Sequence, residues 1–309
     1  MRNSGLICCA LLFVLLTACA APAQTPEDNV ERELADASGV ALTEPKETDP
    51  SVQPEEMDES VESGEATSAG TEELSALLDT LISGATQKGG VWAVAIQRAG
   101  EETCISTDSG PMQSASLIKL FVAAAVEEHW AAVTAIESYS GETARLLFDM
   151  LSVSDNDATN HLVSRLGGGD AAAGMALVNQ YCAAHGYADT SMGRLMLDRN
   201  ADADNYTSVR DCCSFLQSLL AGEVQGGAEI MDALKQQTRT EKIPAGVPAG
   251  VETANKTGEL DTVENDAAII WAGESPYILC VMSEQLSDPA AARECIVDIS
   301  QQIYQYFCC

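Results

Sequence analysis

The chain has 309 residues, of which 47 are Asp or Glu and 16 are Lys or Arg, so that its net charge at pH 7 is −31. A surplus of negative charge this large argues against nucleic acid as a partner, because phosphate groups require basic partners. The length beyond residue 70 is enough for one large hydrophobic core or for two closely packed subdomains.

The first 19 residues have the pattern of an export signal. Arg2 is followed by an apolar stretch at 6–16 that is too short to cross a bilayer on its own. The sequence LTAC at 16–19 resembles a bacterial lipobox, in which the signal is removed before the cysteine and that cysteine is lipidated. An ordinary signal peptide with a chance cysteine is the alternative. The resemblance implies an extracytoplasmic protein, lipid-anchored to a bacterial membrane through Cys19.

Residues 20–70 are strongly acidic and contain no aromatic side chain. They hold 14 of the 47 acidic residues and five of the ten prolines. Such a segment cannot bury enough apolar surface to offset the entropy lost on ordering. The composition therefore predicts a disordered acidic tether between the signal and a folded domain at 71–309.

The folded part begins with helical and strand-like patterns that alternate. Thr71 is predicted to cap an amphipathic helix that ends at Gly84, and two strands follow with a turn at 99–100. Helices are then expected at 116–133, 142–151, 156–168, 170–186 and 207–223. Strand-like stretches at 251–260, 265–273 and 276–284 precede a final helix that starts at Pro289.

This order of elements predicts a mixed α/β fold of the α+β type. The economical arrangement pairs the early and late strands in one antiparallel sheet and packs the terminal helices on it. The helical block, at about 114–240, then forms a second lobe. A ligand site is expected in the cleft between the two, where such sites usually lie.

Cysteine and histidine give no sign of a metal site or of a cofactor. Eight cysteines follow Cys19, none with CxxC spacing, so that buried thiols and disulfides both remain open. His129, His161 and His185 share no ligand spacing, and structural roles are favoured for them.

Three short motifs point to chemistry. SLIK at 116–119 places a serine at a helix start and a lysine one turn later on the same face. Such a lysine can accept the serine proton, and the helix amides can stabilise an oxyanion. SDN at 154–156 and KTG at 256–258 follow it along the chain.

Ser-x-x-Lys, Ser-Asp-Asn and Lys-Thr-Gly in this order are the signatures of class A β-lactamases and penicillin-binding proteins. The chain resembles this superfamily, and its class A branch most closely, over essentially all of residues 71–309. The resemblance implies a β-lactamase/transpeptidase-like fold and catalysis through an acyl-enzyme, with no cofactor.

The resemblance also implies a role for each motif residue. Ser116 would be the nucleophile, and Lys119 its base or proton relay. Ser154 would pass a proton to the leaving nitrogen, while Asn156 would hydrogen-bond the substrate and the first lysine. Lys256 would hold the second serine and the substrate carboxylate electrostatically.

The rest of the substrate-binding strand follows from the same resemblance. Thr257 would add a hydroxyl contact, and Gly258 and Glu259 would continue the strand along the substrate. The backbone N–H groups of Ser116 and Glu259 would form the oxyanion hole.

The arginine with which this family binds the substrate carboxylate is missing from its usual strand position. Asn265 stands nine residues after Lys256 instead. Lys242, fourteen residues before that lysine, lies where some class A enzymes place an arginine, and it could substitute as a point charge. The alternative for it is a surface lysine.

The sequence LDRNADADN at 197–205 resembles the family's omega loop, Leu-Asp-Arg-x-Glu-x-x-x-Asn. The match implies a structural ion pair between Asp198 and Arg199. It also implies that Asn205 positions the hydrolytic water.

The glutamate of that loop, the general base for deacylation, is replaced by Ala201, and the second half of the loop is deleted. Asp202 is the nearest carboxylate that could act as a substitute base.

These observations predict a serine hydrolase of class A β-lactamase type, acylated at Ser116 by β-lactams or related amides and slow to deacylate. The alternatives are a D-Ala-D-Ala-type peptidase and a protein that binds and sequesters penicillin without efficient turnover. Expected partners are a β-lactam or a peptidoglycan peptide, and the membrane through the lipid anchor. The protein is expected to be a monomer that does not bind nucleic acid.

Overall fold

A computed structural model describes residues 62–107, 110–273 and 275–308. The signal, Cys19 and the tether up to residue 61 lie outside the described residues. The helices are α1 Glu62–Gln87, α2 Ile118–Glu128, α3 Trp130–Thr134, α4 Glu142–Ser152, α5 Asn156–Leu166, α6 Ala171–Ala184, α7 Val209–Leu220, α8 Gly227–Lys235 and α9 Pro289–Cys308. The strands are β1 Val91–Arg98, β2 Ile105–Ser106, β3 Met112–Gln113, β4 Tyr206–Thr207, β5 Glu252–Leu260, β6 Val263–Trp271 and β7 Tyr277–Glu284. None of the described helices combines the length and apolar character needed to cross a membrane.

The main sheet joins strands from the two ends of the folded part. Its order is β2-β1-β7-β6-β5, and every neighbouring pair is antiparallel. Its central strands are buried on both faces. Helices α1 and α9 pack on one face, and α7 and the helical lobe cover the other. The predicted α+β architecture is confirmed.

Side-chain caps start several helices of the lobe. Asp155 accepts a hydrogen bond from the amide of Ala158 at the start of α5, at 2.7 Å. Asp170 and Ser208 cap α6 and α7 in the same way. Because these caps satisfy amides that have no partner inside the helix, they fix where each helix begins. The cap at Asp155 therefore also fixes the SDN motif that surrounds it.

The first helix extends beyond the predicted limits at both ends. It begins at Glu62 rather than at Thr71, inside the segment that composition assigned to the tether, and continues past Gly84 to Gln87. A side chain at Gly84 would meet no neighbouring atom, so this glycine lies on an open face of the helix. Burial of Ala85 one residue later extends the packed face, and packing outweighs the poor helix propensity of glycine.

The helical region departs from prediction in three places. The helix expected at 116–133 is divided into a short 3-10 helix at 115–117, α2 and α3. Helix α8 was not predicted. A small second sheet, β3 with β4, pairs Gln113 with Tyr206 and connects the segment before Ser116 to the end of the acidic loop.

Candidate active site

Ser116 lies in the 3-10 helix that leads directly into α2, with its side chain partly exposed. The residue before it, Ala115, has a left-handed backbone (φ 47°), which a non-glycine residue seldom adopts. The segment is held on both sides. The Ser114 amide donates to the carbonyl of Asn205 at 2.9 Å, and Asn265 Nδ2 donates to the carbonyls of Gln113 and Ser114 at 2.9 and 3.2 Å. The turn that presents Ser116 is therefore fixed by neighbours on two other elements.

Lys119 follows one turn later and is fully buried. Its Nζ donates to the carbonyl of Ser154 at 2.7 Å and to Asn156 Oδ1 at 2.8 Å, and it lies 3.2 Å from Ser154 Oγ. Burial, with a further contribution from the positive charge of Arg239, lowers the pKa of Lys119 to about 7. A large fraction of this lysine is therefore neutral at physiological pH and able to accept a proton.

Ser154 stands between two buried lysines. Lys256 Nζ donates to Ser154 Oγ at 2.9 Å, and Lys119 Nζ lies 3.2 Å from the same oxygen. Burial first, and then the nearby charge of Lys119, holds the pKa of Lys256 well below its usual range. Ser154 itself has a left-handed backbone (φ 61°). The result is a continuous path of hydrogen-bonding atoms from one amine to the other through one hydroxyl.

Strand β5 approaches Ser116 at Gly258. A Cβ atom at this position would lie 2.7 Å from the Ser114 carbonyl oxygen and 3.2 Å from the Ser116 backbone nitrogen. Only glycine permits this approach, because the first contact is with backbone that is itself held in place. The close approach places Gly258, the residue before Glu259, against the turn that contains Ser116, and the oxyanion hole stays a prediction. Thr257 is almost completely buried on the same strand.

The acidic loop is organised differently from the expectation. Arg194 Nε lies 2.6 Å from Asp204 Oδ1, and Gln113 Nε2 donates to the same carboxylate at 2.8 Å. The predicted ion pair of Asp198 with Arg199 is wrong for the described structure. Both side chains are exposed, and Asp198 instead accepts a local hydrogen bond from the amide two residues on. The shortened loop is closed by its ends rather than by a pair at its tip.

Asn205 contributes to this closure. It is buried, and its Oδ1 accepts hydrogen bonds from the amides of Gly193 and Arg194 at 2.9 and 3.0 Å. Its role in positioning water stays a prediction, and in the structure its acceptor oxygen is occupied by the loop itself.

The carboxylates of the loop are either exposed or already paired. Ala201 is partly buried and Asp202 is exposed. The pKa of Asp204 is lowered, although burial alone would raise it, by hydrogen bonds from Asn205 and Gln113 and by its pairing with Arg194. A carboxylate with a lowered pKa is a weak base. Beside the loop is an open cavity of about 670 Å³, whose lining includes Ala201, Asp202, Tyr206 and Leu260.

Comparison with known protein families identifies the family of this chain. A family model described as the beta-lactamase enzyme family matches residues 140–307, which is more than half of the chain. The chain belongs to the β-lactamase family. None of the curated proteins compared with it gives a match.

Solved structures share the fold of this β-lactamase-family chain at low sequence identity. A variant of PBP-A in acyl-enzyme complex with penicillin G is 21% identical, with a TM-score of 0.65 over 76% of this chain and 96% of that one. A beta-lactamase from Sphaerobacter thermophilus is 23% identical, with a TM-score of 0.63 over 74% and 95%. An ancestral class A beta-lactamase is 22% identical, with a TM-score of 0.64 over 76% and 100%.

Lys242 does not reach the surface of this β-lactamase-family site. It is completely buried, and its Nζ lies 3.1 Å from Glu259 Oε1 and 2.7 Å from Glu264 Oε2. It also donates to the carbonyl of Asn265 at 3.0 Å. Its substrate contact remains a prediction, but protein oxygens already surround its ammonium group. Asn265, where the family's arginine was expected, is a buried structural residue that connects β6 and β7 to the turn before Ser116.

Arg239 is the accessible cation that the sequence analysis missed. Its side chain is 42% exposed, and its guanidinium donates to Glu259 Oε2 at 2.8 Å. It is near enough to the site for its charge to lower the pKa of both Lys119 and Lys256. The only signal in the sequence is its position three residues before Lys242, in the same loop.

The structure thus assembles the three motifs around the hydroxyl of Ser154. It brings together Ser116, Lys119, Ser154, Asn156, Lys256, Thr257, Gly258 and Glu259. It buries Lys242 behind Glu259. Among the residues that the structure describes, no three His, Cys, Asp or Glu side chains are grouped so as to hold a metal ion.

Proposed function

We propose that this β-lactamase-family protein is a serine hydrolase that is acylated at Ser116 by β-lactams or related amides and that deacylates slowly. The observation that carries the proposal is the placement of Ser154 Oγ between the amines of Lys119 and Lys256, next to a nucleophile at a helix start. TM-scores of 0.63 with a beta-lactamase and 0.64 with an ancestral class A beta-lactamase support the fold that this mechanism needs.

Acylation follows from this geometry. Neutral Lys119 accepts the proton of Ser116 Oγ while that oxygen attacks the carbonyl carbon. Collapse of the tetrahedral intermediate breaks the bond between carbonyl carbon and nitrogen, and the nitrogen takes a proton from Ser154 Oγ. That hydroxyl recovers a proton from Lys119, so that protons balance and the product is an ester on Ser116.

Hydrolysis of the ester needs a base that removes a proton from water. Ala201 cannot supply one, Asp202 is exposed, and Asp204 is paired with Arg194. Loss of a positioned general base typically costs ~10²–10⁴ in the step that it serves. The ester therefore persists.

Arg239 is proposed to receive the substrate carboxylate together with Lys256 and Thr257. A guanidinium that is partly exposed and fixed on one side by Glu259 can present its remaining N–H groups to a second carboxylate.

The test uses a fluorescent penicillin and the full chain. Covalent label should appear on the wild type, should be mapped to Ser116, and should be absent from Ser116→Ala. Labelling that persists in this variant would remove the assignment.

A D-Ala-D-Ala-type peptidase is the second candidate, favoured by the missing glutamate and by the open cavity beside the loop. Sequestration of penicillin without turnover is the third reading. Release of D-alanine from a D-Ala-D-Ala peptide would identify the peptidase, and a stable adduct without either hydrolysis would identify the sequestering protein.

Anchoring of the protein outside the cytoplasm through lipidated Cys19 rests on the sequence alone. Metabolic labelling with a fatty acid should mark the wild-type protein and should not mark Cys19→Ser. Equal labelling of both would exclude the lipobox.

A further inference from the structure

Five charged side chains form a chain of alternating sign behind the substrate strand. Arg293 Nε lies 2.8 Å from Glu264, Glu264 lies 2.7 Å from Lys242, and Lys242 lies 3.1 Å from Glu259. Glu259 in turn lies 2.8 Å from Arg239. The chain runs from helix α9, where Arg293 is 46% exposed, to the guanidinium proposed to bind substrate.

The middle of this chain is withdrawn from water. The Lys242 side chain has no exposed surface and that of Glu264 has 2%. Charges in such surroundings persist only when each is paired, and removing one partner leaves another buried and uncompensated. Lys242 contacts two carboxylates, that of the buried Glu264 and that of the partly exposed Glu259, so it determines where each of them can lie.

The same ammonium is tied to the strands at the nucleophile. It donates to the carbonyl of Asn265 at 3.0 Å and lies 3.5 Å from that of Gly258. These two residues face each other in the register of β5 and β6, and Gly258 is the residue that approaches Ser116. Lys242 is thus fixed to rigid backbone on one side and to Glu259 on the other.

We propose that Lys242 is a positioning residue, which holds Glu259 in the one place where that carboxylate orients Arg239 toward the carboxylate of the substrate. This inference rests on the proposed function, since it concerns the substrate class that the site selects. It predicts that selection for substrates with a free carboxylate depends on a buried lysine that never touches them.

The experiment compares benzylpenicillin with its methyl ester, which lacks the negative charge. Second-order rate constants of acylation are measured on the full chain by competition with fluorescent penicillin. Because Lys242→Met alone leaves Glu264 buried with reduced compensation, the variants are also made in a Glu264→Gln background, which removes that unpaired charge.

In this background, Arg239→Gln and Lys242→Met should each reduce acylation by the free acid about tenfold, the effect of one charge-assisted hydrogen bond. Measured at a pH well above the Lys119 pKa of about 7, where this base is neutral with or without Arg239, acylation by the ester should change little. The combination should reduce the rate for the acid no further than either substitution alone, because both remove the same oriented guanidinium. Lys235→Met is the matched control. It removes a lysine paired with Glu252 at the other end of β5 and should change neither rate.

Three outcomes overturn the inference in different ways. Equal losses for acid and ester in Lys242→Met mean a purely structural role. Additive losses with Arg239→Gln mean that Lys242 acts through its charge at a distance rather than by positioning. If Arg239→Gln changes the acylation rate constants of acid and ester equally, Arg239 does not bind the substrate carboxylate. Failure of the wild type to be labelled at Ser116 is a separate result, which refutes the proposed function and this inference with it.

Discussion

The lysine cluster around Ser154 and the loop at 194–205 border the same site, but their hydrogen-bonding groups are used differently. In the cluster, two buried amines contact one hydroxyl at 2.9 and 3.2 Å. In the loop, the hydrogen-bonding groups of Arg194, Asp204 and Asn205 are used to close the loop on itself. On the proposed mechanism, the cluster supplies the groups for proton transfer to and from Ser116, whereas the carboxylates of the loop are exposed or already paired.

We infer from this contrast that separate parts of the fold serve the two halves of the proposed acyl-transfer cycle. Acylation depends on rigid elements, namely the start of α2, the start of α5 and strand β5. Deacylation is assigned to a separate loop, whose closing contacts lie at its base. The predictions below test this separation, from the largest expected effect to the smallest.

Gly258→Ala should cause the largest fall in the acylation rate constant. Its new methyl group would lie 2.7 Å from a backbone carbonyl, so strand β5 must move away from Ser116. A misplacement of about 1 Å can cost on the order of 10²-fold in rate. We expect a loss of that size in the acylation rate constant with fluorescent penicillin.

Gly84→Ala is the control for this substitution, since a side chain there meets nothing within 4 Å and the residue lies inside α1. It should leave acylation unchanged and should raise stability by about 0.4–1 kcal/mol. Wild-type acylation by Gly258→Ala would show that the close approach is dispensable.

The pH dependence of acylation should report the lysine cluster. Because the base is the neutral form of Lys119, whose pKa is about 7, the rate constant should fall about tenfold per pH unit below that value. Arg239→Gln removes a positive charge that lowers this pKa, so the midpoint of the profile should move to higher pH. Rates that stay constant down to pH 5, or a midpoint that Arg239→Gln does not move, would contradict the assignment of Lys119.

Asp204→Asn should affect the loop without removing acylation. The substitution weakens a partly buried ion pair with Arg194 and the contact from Gln113, at a cost of about 1–3 kcal/mol in unfolding free energy. The lowered pKa of Asp204 means that its contribution to stability is present above its unfolded value of 3.8 and is lost as pH falls through the folded value. Thermal melting at neutral pH measures the loss. The exposed Asp202→Asn should stay within about 0.5 kcal/mol.

Deletion of residues 20–61 should have the smallest effect. Their composition predicts a tether without a core, and the deletion retains all of α1, whose Leu74 and Leu78 are buried against the sheet. Acylation rate and melting temperature should both remain close to the values of the full chain. A marked fall in either would show that the acidic segment packs on the domain.

The sequence was sufficient for the features that depend on local pattern. Short strand-like stretches near the two ends of the folded part predicted the strands of one antiparallel sheet, and Pro289 marked the start of the last helix. The motif spacing identified the residues around Ser154, because each motif has a fixed place on a helix start or a strand.

The errors at the candidate site concern contacts between residues that are not neighbours in the sequence. The pairing of Arg194 with Asp204 in place of Asp198 with Arg199 depends on how a shortened loop closes, which composition does not reveal. Burial of Lys242 depends on carboxylates supplied by β5 and β6. The two-residue strands β3 and β4 are too short to produce a periodic signal.

The central claim is that the site holds the groups needed for acylation but lacks a base for deacylation. The most direct test is the intact mass of the wild-type protein after rapid mixing with a penicillin. The account predicts that the mass of the acyl-enzyme appears quickly at one equivalent and persists while free penicillin is consumed only slowly. Ala201→Glu, which restores the carboxylate to the loop, should shorten the lifetime of the adduct if the shortened loop can bring it to the ester. Rapid, linear hydrolysis by the wild type with no detectable adduct would contradict the account, because it would require a base for deacylation that this loop does not provide.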